Sequence, residues 1–356
     1  MTHTWDDGGF RARVQATLDE FLDRRATTLA PLGADAARLI DQARIGVHGG
    51  KRLRASFCYW GCRAFAPDET GTEDALVRAG AALELLHASA LVHDDLMDAS
   101  DTRRGHPSAH RAFEAEHRAA AWRGNPEQYG AAGAILLGDL LLGWSGELLW
   151  RSGFPAERIG PAYELFDLCR TEVLAGQFLD VSVQARGRAD VDTAMTVLRY
   201  KSAKYSVERP LHLGASLAGA TAADLTALSG FGLPLGEAFQ LRDDLLGVFG
   251  DPAETGKPAG DDLVEGKRTV LVALALDAAT PGDAAILDGA LGRPLTAGQV
   301  DELRRIIDTS GAREQVEAAI AALTGTAIAA LDRAVAEDRA RAVLAELARD
   351  ATERNV

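Results

Sequence analysis

Apolar residues recur every three to four positions along almost the whole chain, the spacing that gathers them on one stripe of an α-helix. Alanine and leucine dominate these stripes and β-branched clusters are few, so the pattern predicts an all-α protein. The predicted helices cover 10–29, 35–45, 52–65, 72–97, 132–151, 155–184, 192–205, 209–218, 222–247, 267–277, 296–309, 311–323 and 326–347. Clusters of Gly and Pro at 46–50, 124–126, 250–260 and 280–282 punctuate them. The polar, Gly- and Pro-marked stretch 118–133 reads as a mobile loop or insertion. No fixed repeat and no Ser- or Pro-rich linker divides the chain, so residues 1–356 read as one large helical bundle.

Composition narrows the function. The 356 residues are 47% hydrophobic, enough to bury a full core, and 52 acidic against 38 basic residues leave a net charge of −14. A surface of that sign repels phosphate backbones and anionic headgroups, which excludes a general nucleic-acid binder. The start of the chain lacks the basic and apolar regions of a leader, and no uncharged apolar run reaches a membrane-spanning length of about 18 residues. The expectation is a cytoplasmic protein with no transmembrane segment. Cys58, Cys62 and Cys169 are too few for a disulfide framework and read as reduced core thiols. Only five basic residues are lysines: Lys51, Lys201, Lys204, Lys257 and Lys267. In a chain so biased toward arginine, each marks a segment where a compact point charge is wanted.

The stretch 83–98, Leu-Glu-Leu-Leu-His-Ala-Ser-Ala-Leu-Val-His-Asp-Asp-Leu-Met-Asp, carries the strongest chemical signal. Asp94 and Asp98 lie one turn apart, Asp95 lies beside them, and His87 sits two turns earlier on the same stripe. Carboxylates so placed repel unless a cation stands between them, and hard oxygen donors suit Mg²⁺. A second acidic pair, Asp243 and Asp244, ends the apolar helix predicted at 222–247. Two such clusters predict facing walls, and because Mg²⁺ completes its shell with substrate phosphates, the expected ligand is a diphosphate bridging them. Basic residues gather to meet it at 49–54, 103–105, 200–204, 256–257 and 266–268. Gly49 and Gly50 let backbone approach an anion, arginine grips phosphate oxygens with two bonds, and lysine neutralises them.

Taken in order, Gly50-Lys-Arg-Leu-Arg54, Glu84-Leu-Leu-His87, His93-Asp-Asp-Leu-Met-Asp98, Arg103-Arg-Gly-His-Pro107, Gly176-Gln-Phe-Leu-Asp180, Lys201-Ser202, Phe239-Gln-Leu-Arg-Asp-Asp244, Gly256-Lys257 and Lys267-Arg-Thr269 resemble the trans-isoprenyl diphosphate synthases, or polyprenyl synthetases, from about residue 25 to 352. The resemblance implies an all-α bundle around a deep apolar cavity, two or three Mg²⁺ ions as cofactor, and a homodimer. It implies that Asp94, Asp95 and Asp98 form the first magnesium motif and Asp243 and Asp244 the second. Lys51, Arg54, His87 and Arg104 resemble the pocket for isopentenyl diphosphate. Arg103, Lys201, Ser202, Gln240, Lys257 and Lys267 resemble the set that holds an allylic diphosphate, with Gln177 and Asp180 orienting nearby. One departure stands out: the second motif often ends in a third Asp, and here that position is Gly247. Water or Asp251 is expected to fill the gap.

The implied reaction is the 1′-4 condensation of isopentenyl diphosphate with an allylic diphosphate, its leaving group stabilised by the ions and the Lys/Arg set. Product length is expected to follow the residues four and five positions before the first motif, Ala90 and Ser89. Both are small, so growth past a fifteen-carbon chain to geranylgeranyl diphosphate is expected, with Leu86 or Leu83 as the next floor. The alternatives are a farnesyl or longer-chain synthase, a non-catalytic partner subunit, and a class I terpene cyclase. Retained Asp243 and Asp244 argue against the last two.

Overall fold

The computed structural model describes residues 6, 9–67, 71–188, 190–250 and 260–353. Helices α1 (Phe10–Leu29) and α2 (Ala34–Val47) are joined by a 3₁₀ turn, and α3 (Leu53–Arg63) leads to α4 (Glu73–Met97). A hairpin, β1 (Thr102–Arg103) with β2 (His106–Pro107), follows, then α5 (Ala109–Ala119), α6 (Pro126–Trp150) and α7 (Ala156–Arg186). Helix α8 (Val191–Leu198) continues through a π-helical stretch, Arg199–Glu208, into α9 (Arg209–Leu217) without a break. Beyond α10 (Ala222–Phe249) come α11 (Asp261–Glu265), α12 (Val270–Ala278), α13 (Pro281–Ala290), α14 (Ala297–Thr309), α15 (Ala312–Ala334) and α16 (Asp338–Thr352).

Two apolar cores result. The larger gathers Phe10, Leu76, Leu83, Leu137, Leu211 and Phe231 from α1, α4, α6, α9 and α10. The smaller gathers Leu241, Leu245, Leu263, Leu271 and Ile306 from α10, α11, α12 and α14. Helix α10 therefore belongs to both: Leu228, Phe231 and Leu235 enter the first core and Leu241, Leu245 and Val248 the second. Each buried Leu or Phe contributes about 1.5–3 kcal/mol, so the helix that carries Asp243 and Asp244 is held at both ends. Helices α4 and α6 are long and apolar enough to cross a membrane by length and composition, yet the most apolar stretch of α4 is 78% buried inside the bundle, as a core helix is. Cys58, Cys62 and Cys169 are buried and form no disulfide.

Several expectations need correction. The segment 118–133 is mostly helical: α5 runs to Ala119, α6 begins at Pro126, and only 120–125 connect them. Asn125 caps α6 by accepting from the Glu127 N–H at 2.8 Å, and Pro126 fills the first helical position, where no N–H is needed. Trp122 packs edge-on against His117 and Tyr129 and lies under Arg38, 4.9 Å from ring to guanidinium. At 280–282 a helix starts, with Thr280 as cap and Pro281 behind it. The break expected near 324 falls instead at 335–337, because Gly325 costs a helix only about 1 kcal/mol.

Candidate active site

The last two turns of α4 emerge from the larger core and turn polar there. Asp94 accepts from Gln177 Nε2 of α7 at 2.9 Å and from Lys201 Nζ at 3.1 Å. Lys201 also donates to Asp180 Oδ2 at 2.6 Å, so one ammonium ties two carboxylates from different helices. Burial alone would raise the Asp94 carboxyl, but Lys201, Lys267 and Arg103 overcome it and hold it at about 2. Lys201 sits in the π-helical stretch, a local widening often found at functional sites. That stretch is gripped by glycines on both sides. A Cβ on Gly176 would lie 2.6 Å from the Tyr200 carbonyl carbon, and one on Gly236 would lie 2.8 Å from Ala203 Cα. The absence of side chains at these two positions lets α7 and α10 press backbone against backbone and fix where Lys201 and Ser202 stand.

Opposite, α10 presents Asp243, Asp244 and Gly247 to the same cleft. Burial, with the charge of Asp262 nearby, pushes Asp244 up to about 8, against the Gln240 amide that donates to it at 2.8 Å. Lys267 joins the two walls. Its ammonium lies 3.6 Å from Asp98, 3.4 Å from Asp262 and 2.5 Å from Glu265, and these carboxylates raise its pKa despite the cost of burial. Ser100, just past α4, donates to Glu265 at 2.6 Å and adds a second link between the walls.

A basic end completes the cleft, which encloses about 860 Å³ and is lined there by Lys51, Arg54, His87, Arg103 and Arg104. Arg54 stacks 4.3 Å from the Tyr205 ring centre and donates to Ser206 at 2.8 Å. His87 Nδ1 and the Tyr205 hydroxyl share a hydrogen bond of 2.8 Å. Burial and the surrounding guanidinium groups, Arg54 and Arg104 foremost, keep His87 well below its usual pKa, so it is neutral at pH 7. Arg104 and Gly105 both take positive φ, as the turn of a tight hairpin requires. Beneath them a buried pair, Arg52 with Glu84 at 2.9 Å, anchors the start of α3.

The cleft thus brings together Lys51, Arg54, His87, Ala90, Asp94, Arg103, Arg104, Gln177, Asp180, Lys201, Ser202, Gln240, Asp243, Asp244 and Lys267. Asp98 stands beside it behind Lys267. Two expectations fail. Asp95 does not line the cleft: it is 3% exposed on the neighbouring face of α4 and accepts from Arg103 Nε at 2.9 Å, a contact that orients that guanidinium. Ser89 does not face the cleft either, since its hydroxyl donates to the Gly138 carbonyl of α6 at 2.8 Å. Only Ala90 of that pair lines the cavity, while Leu83 and Leu86 lie in the larger core. Lys257 and Asp251 lie outside the described residues. Sequence reasoning missed Tyr205, Asp262 and Glu265. The last two carried a visible signal, being carboxylates five and two positions before Lys267.

Among the described residues no three ligand-type side chains converge closely enough to hold a metal by themselves. The donor chemistry nevertheless suits magnesium. Both carboxylate oxygens of Asp98 are buried with no hydrogen-bond donor, one turn from Asp94, and Mg²⁺ needs only one or two carboxylates when water and phosphate supply the rest.

Comparison with known proteins bears on this cleft. A profile described as polyprenyl synthetase matches residues 38–310. The solved geranylgeranyl pyrophosphate synthase of Corynebacterium glutamicum, complexed with isoprenyl diphosphate and magnesium, superposes with a TM-score of 0.94 at 42% identity, covering 97% of this chain and 99% of that one. Geranylgeranyl diphosphate synthase of Sulfolobus acidocaldarius is 35% identical over 68% of each chain. Geranylfarnesyl diphosphate synthase of Natronomonas pharaonis is 33% identical over 64% of this chain and 66% of its own.

Proposed function

Because the chain belongs to the polyprenyl synthetase family, we propose that it condenses isopentenyl diphosphate with an allylic diphosphate in a Mg²⁺-dependent 1′-4 reaction, giving geranylgeranyl diphosphate. The observation that carries this reading is one cleft with two differently equipped ends. One end is dominated by cations, Lys51, Arg54 and Arg104, around neutral His87, its one carboxylate Glu84 being paired with Arg52, and it suits a diphosphate that is held but not cleaved. The other has carboxylates and cations together, Asp94, Asp98, Asp243 and Asp244 with Lys201 and Lys267, and suits a diphosphate that departs.

In this reading Asp94, Asp98, Asp243 and Asp244 would hold magnesium, which when bound would supply positive charge opposite the leaving diphosphate. Lys201 and Lys267, already fixed by their carboxylates, add positive charge at the same place with little reorganisation. As the allylic C–O bond breaks, the electron pair leaves with the diphosphate. The double bond of isopentenyl diphosphate attacks the allylic cation, and a proton is lost to the departed diphosphate. The basic end sets the approach of that double bond, so positioning rather than a side-chain base governs the rate. Small Ala90 leaves room for the chain to grow beyond fifteen carbons.

We also propose a homodimer. Leu136 on α6 is 58% exposed, and Leu174 and Phe178, one turn apart on α7, are 50% and 73% exposed, large apolar side chains that a second copy would cover. Buried cysteines outside any disulfide support a reducing, cytoplasmic setting, and helix α10, shared by both cores, supports a single domain. The test of function is incorporation of labelled isopentenyl diphosphate into an organic-extractable product. It is expected only when Mg²⁺ and an allylic diphosphate are both present. Incorporation without a starter, or none with any starter, contradicts the proposal.

A further inference from the structure

Lys204 is one of only five lysines in the chain. Lys51, Lys201 and Lys267 line the cleft, but Lys204 does not. Residues three apart on an α-helix share a face, so on such a helix Lys204 would stand beside Lys201 and meet the same diphosphate. The two lie instead in the π-helical stretch, whose wider turn swings the second side chain further round. Lys201 reaches Asp94 and Asp180, while Lys204 turns away to Glu172 at 2.8 Å.

Glu172, Gly176 and Asp180 follow at intervals of four on α7, which puts them on one stripe of that helix. Gly176 is the point where backbones meet: a Cβ there would lie 2.8 Å from Lys201 Cα. On either side of it stands a carboxylate that holds one lysine of the stretch, Asp180 with Lys201 and Glu172 with Lys204. Glu172 also accepts from Arg209, the first residue of α9, through Nε at 2.6 Å and Nη2 at 2.8 Å. Glu208 closes the group, 3.6 Å from Lys204 and 3.9 Å from Arg209, so two carboxylates face two cations. All four side chains are at most 14% exposed. Burial alone would raise the Glu172 carboxyl, but the bonds from Arg209 and Lys204 hold it below its usual range, so it is charged at pH 7.

We propose that Glu172 and Lys204 are positioning residues: their ion pair, braced by Arg209, locks the end of the π-helical stretch against α7 and so sets where Lys201 places its ammonium for the allylic diphosphate. The proposal rests on the reading of the cleft above. The glycine contact sets how close the stretch lies to α7, and the ion pair sets how far along α7 it sits. Lys204 thus acts through Lys201 and makes no contact of its own with a diphosphate.

The test uses the full chain with Mg²⁺ and reads the binding of geranyl diphosphate by calorimetry, without isopentenyl diphosphate so that no condensation follows. Lys204→Met removes the ammonium and leaves Glu172 paired with Arg209, so a cooperative melt is expected to remain. It is expected to weaken geranyl diphosphate binding about 10-fold, the loss of one charge-assisted hydrogen bond, while the KM for isopentenyl diphosphate keeps its wild-type value. Lys204→Arg, which still reaches Glu172, restores most of the affinity. Glu172→Gln, which breaks the same pair from the side of α7, reproduces the loss. In a Lys201→Met background Lys204→Met is expected to add nothing, because a residue that acts through another has no effect once that one is gone. Unchanged geranyl diphosphate affinity in Lys204→Met and Glu172→Gln overturns the proposal, and so does an additive loss in the double variant, which would put Lys204 on the diphosphate itself. Wild-type protein that binds no geranyl diphosphate contradicts the functional reading instead, so the two failures are distinguishable.

Discussion

Ala90 and Ser89 are neighbours in the chain, but on a helix a step of one residue turns the side chain by about 100°. Ala90 therefore meets the cleft and Ser89 meets the backbone of α6. Ala90→Phe is expected to shorten the product, read as the alcohol released after dephosphorylation. Ser89→Phe is expected to destabilise the fold by about 1–3 kcal/mol through overpacking, read as a lower melting temperature, without the same change in product. His212 provides a second test at this scale. Arg209 donates to its Nδ1 at 3.1 Å, so that nitrogen must accept and the ring must be neutral. Burial, and then Arg209, hold its pKa at about 4 against an ordinary 6.5. The unfolded chain therefore takes up more protons between these values, and stability falls as pH drops from 6.5 to 4, by up to about 3 kcal/mol from this residue. Denaturant titrations of His212→Gln across that range should show a shallower loss than wild type; parallel slopes would remove the histidine from this role.

Among the elements, the π-helical stretch depends most on its neighbours. Gly176 and Gly236 permit α7 and α10 to touch its backbone. Gly236→Val is expected to push it outward, lowering the melting temperature and weakening allylic diphosphate binding because Lys201 and Ser202 move; an unchanged KM for the starter would argue that the stretch tolerates displacement. Local patterns explain how far the elements could be read from sequence. The stripes of α1 and α4 and the Asp94/Asp98 spacing are short-range features, and they stand as read. Asn125-Pro126 and Thr280-Pro281 are helix starts that resemble turns until the cap is recognised, so the first turns of α6 and the whole of α13 were hidden in apparent punctuation. Asp95 and Ser89 failed for a different reason, since their directions are set by Arg103 and Gly138, partners brought together only by tertiary packing.

On the scale of the whole molecule, two cores share α10, and the cleft opens between the walls that α4 and α10 support. Motion of either core would change the separation of the carboxylates, which ties fold stability to metal binding. The exposed patch on α6 and α7 adds the proposed dimer to this picture. Leu174→Glu with Phe178→Glu is expected to yield a monomer in sedimentation velocity, where wild type sediments as a dimer; a monomeric wild type would contradict the dimer. The central claim remains chain elongation in a single cleft. Purified protein should be given Mg²⁺, labelled isopentenyl diphosphate and, in separate reactions, dimethylallyl, geranyl and farnesyl diphosphate, and the dephosphorylated products sized. A common twenty-carbon alcohol from all three starters is the predicted result, and no labelled alcohol from any of them would contradict the function assigned to the cleft.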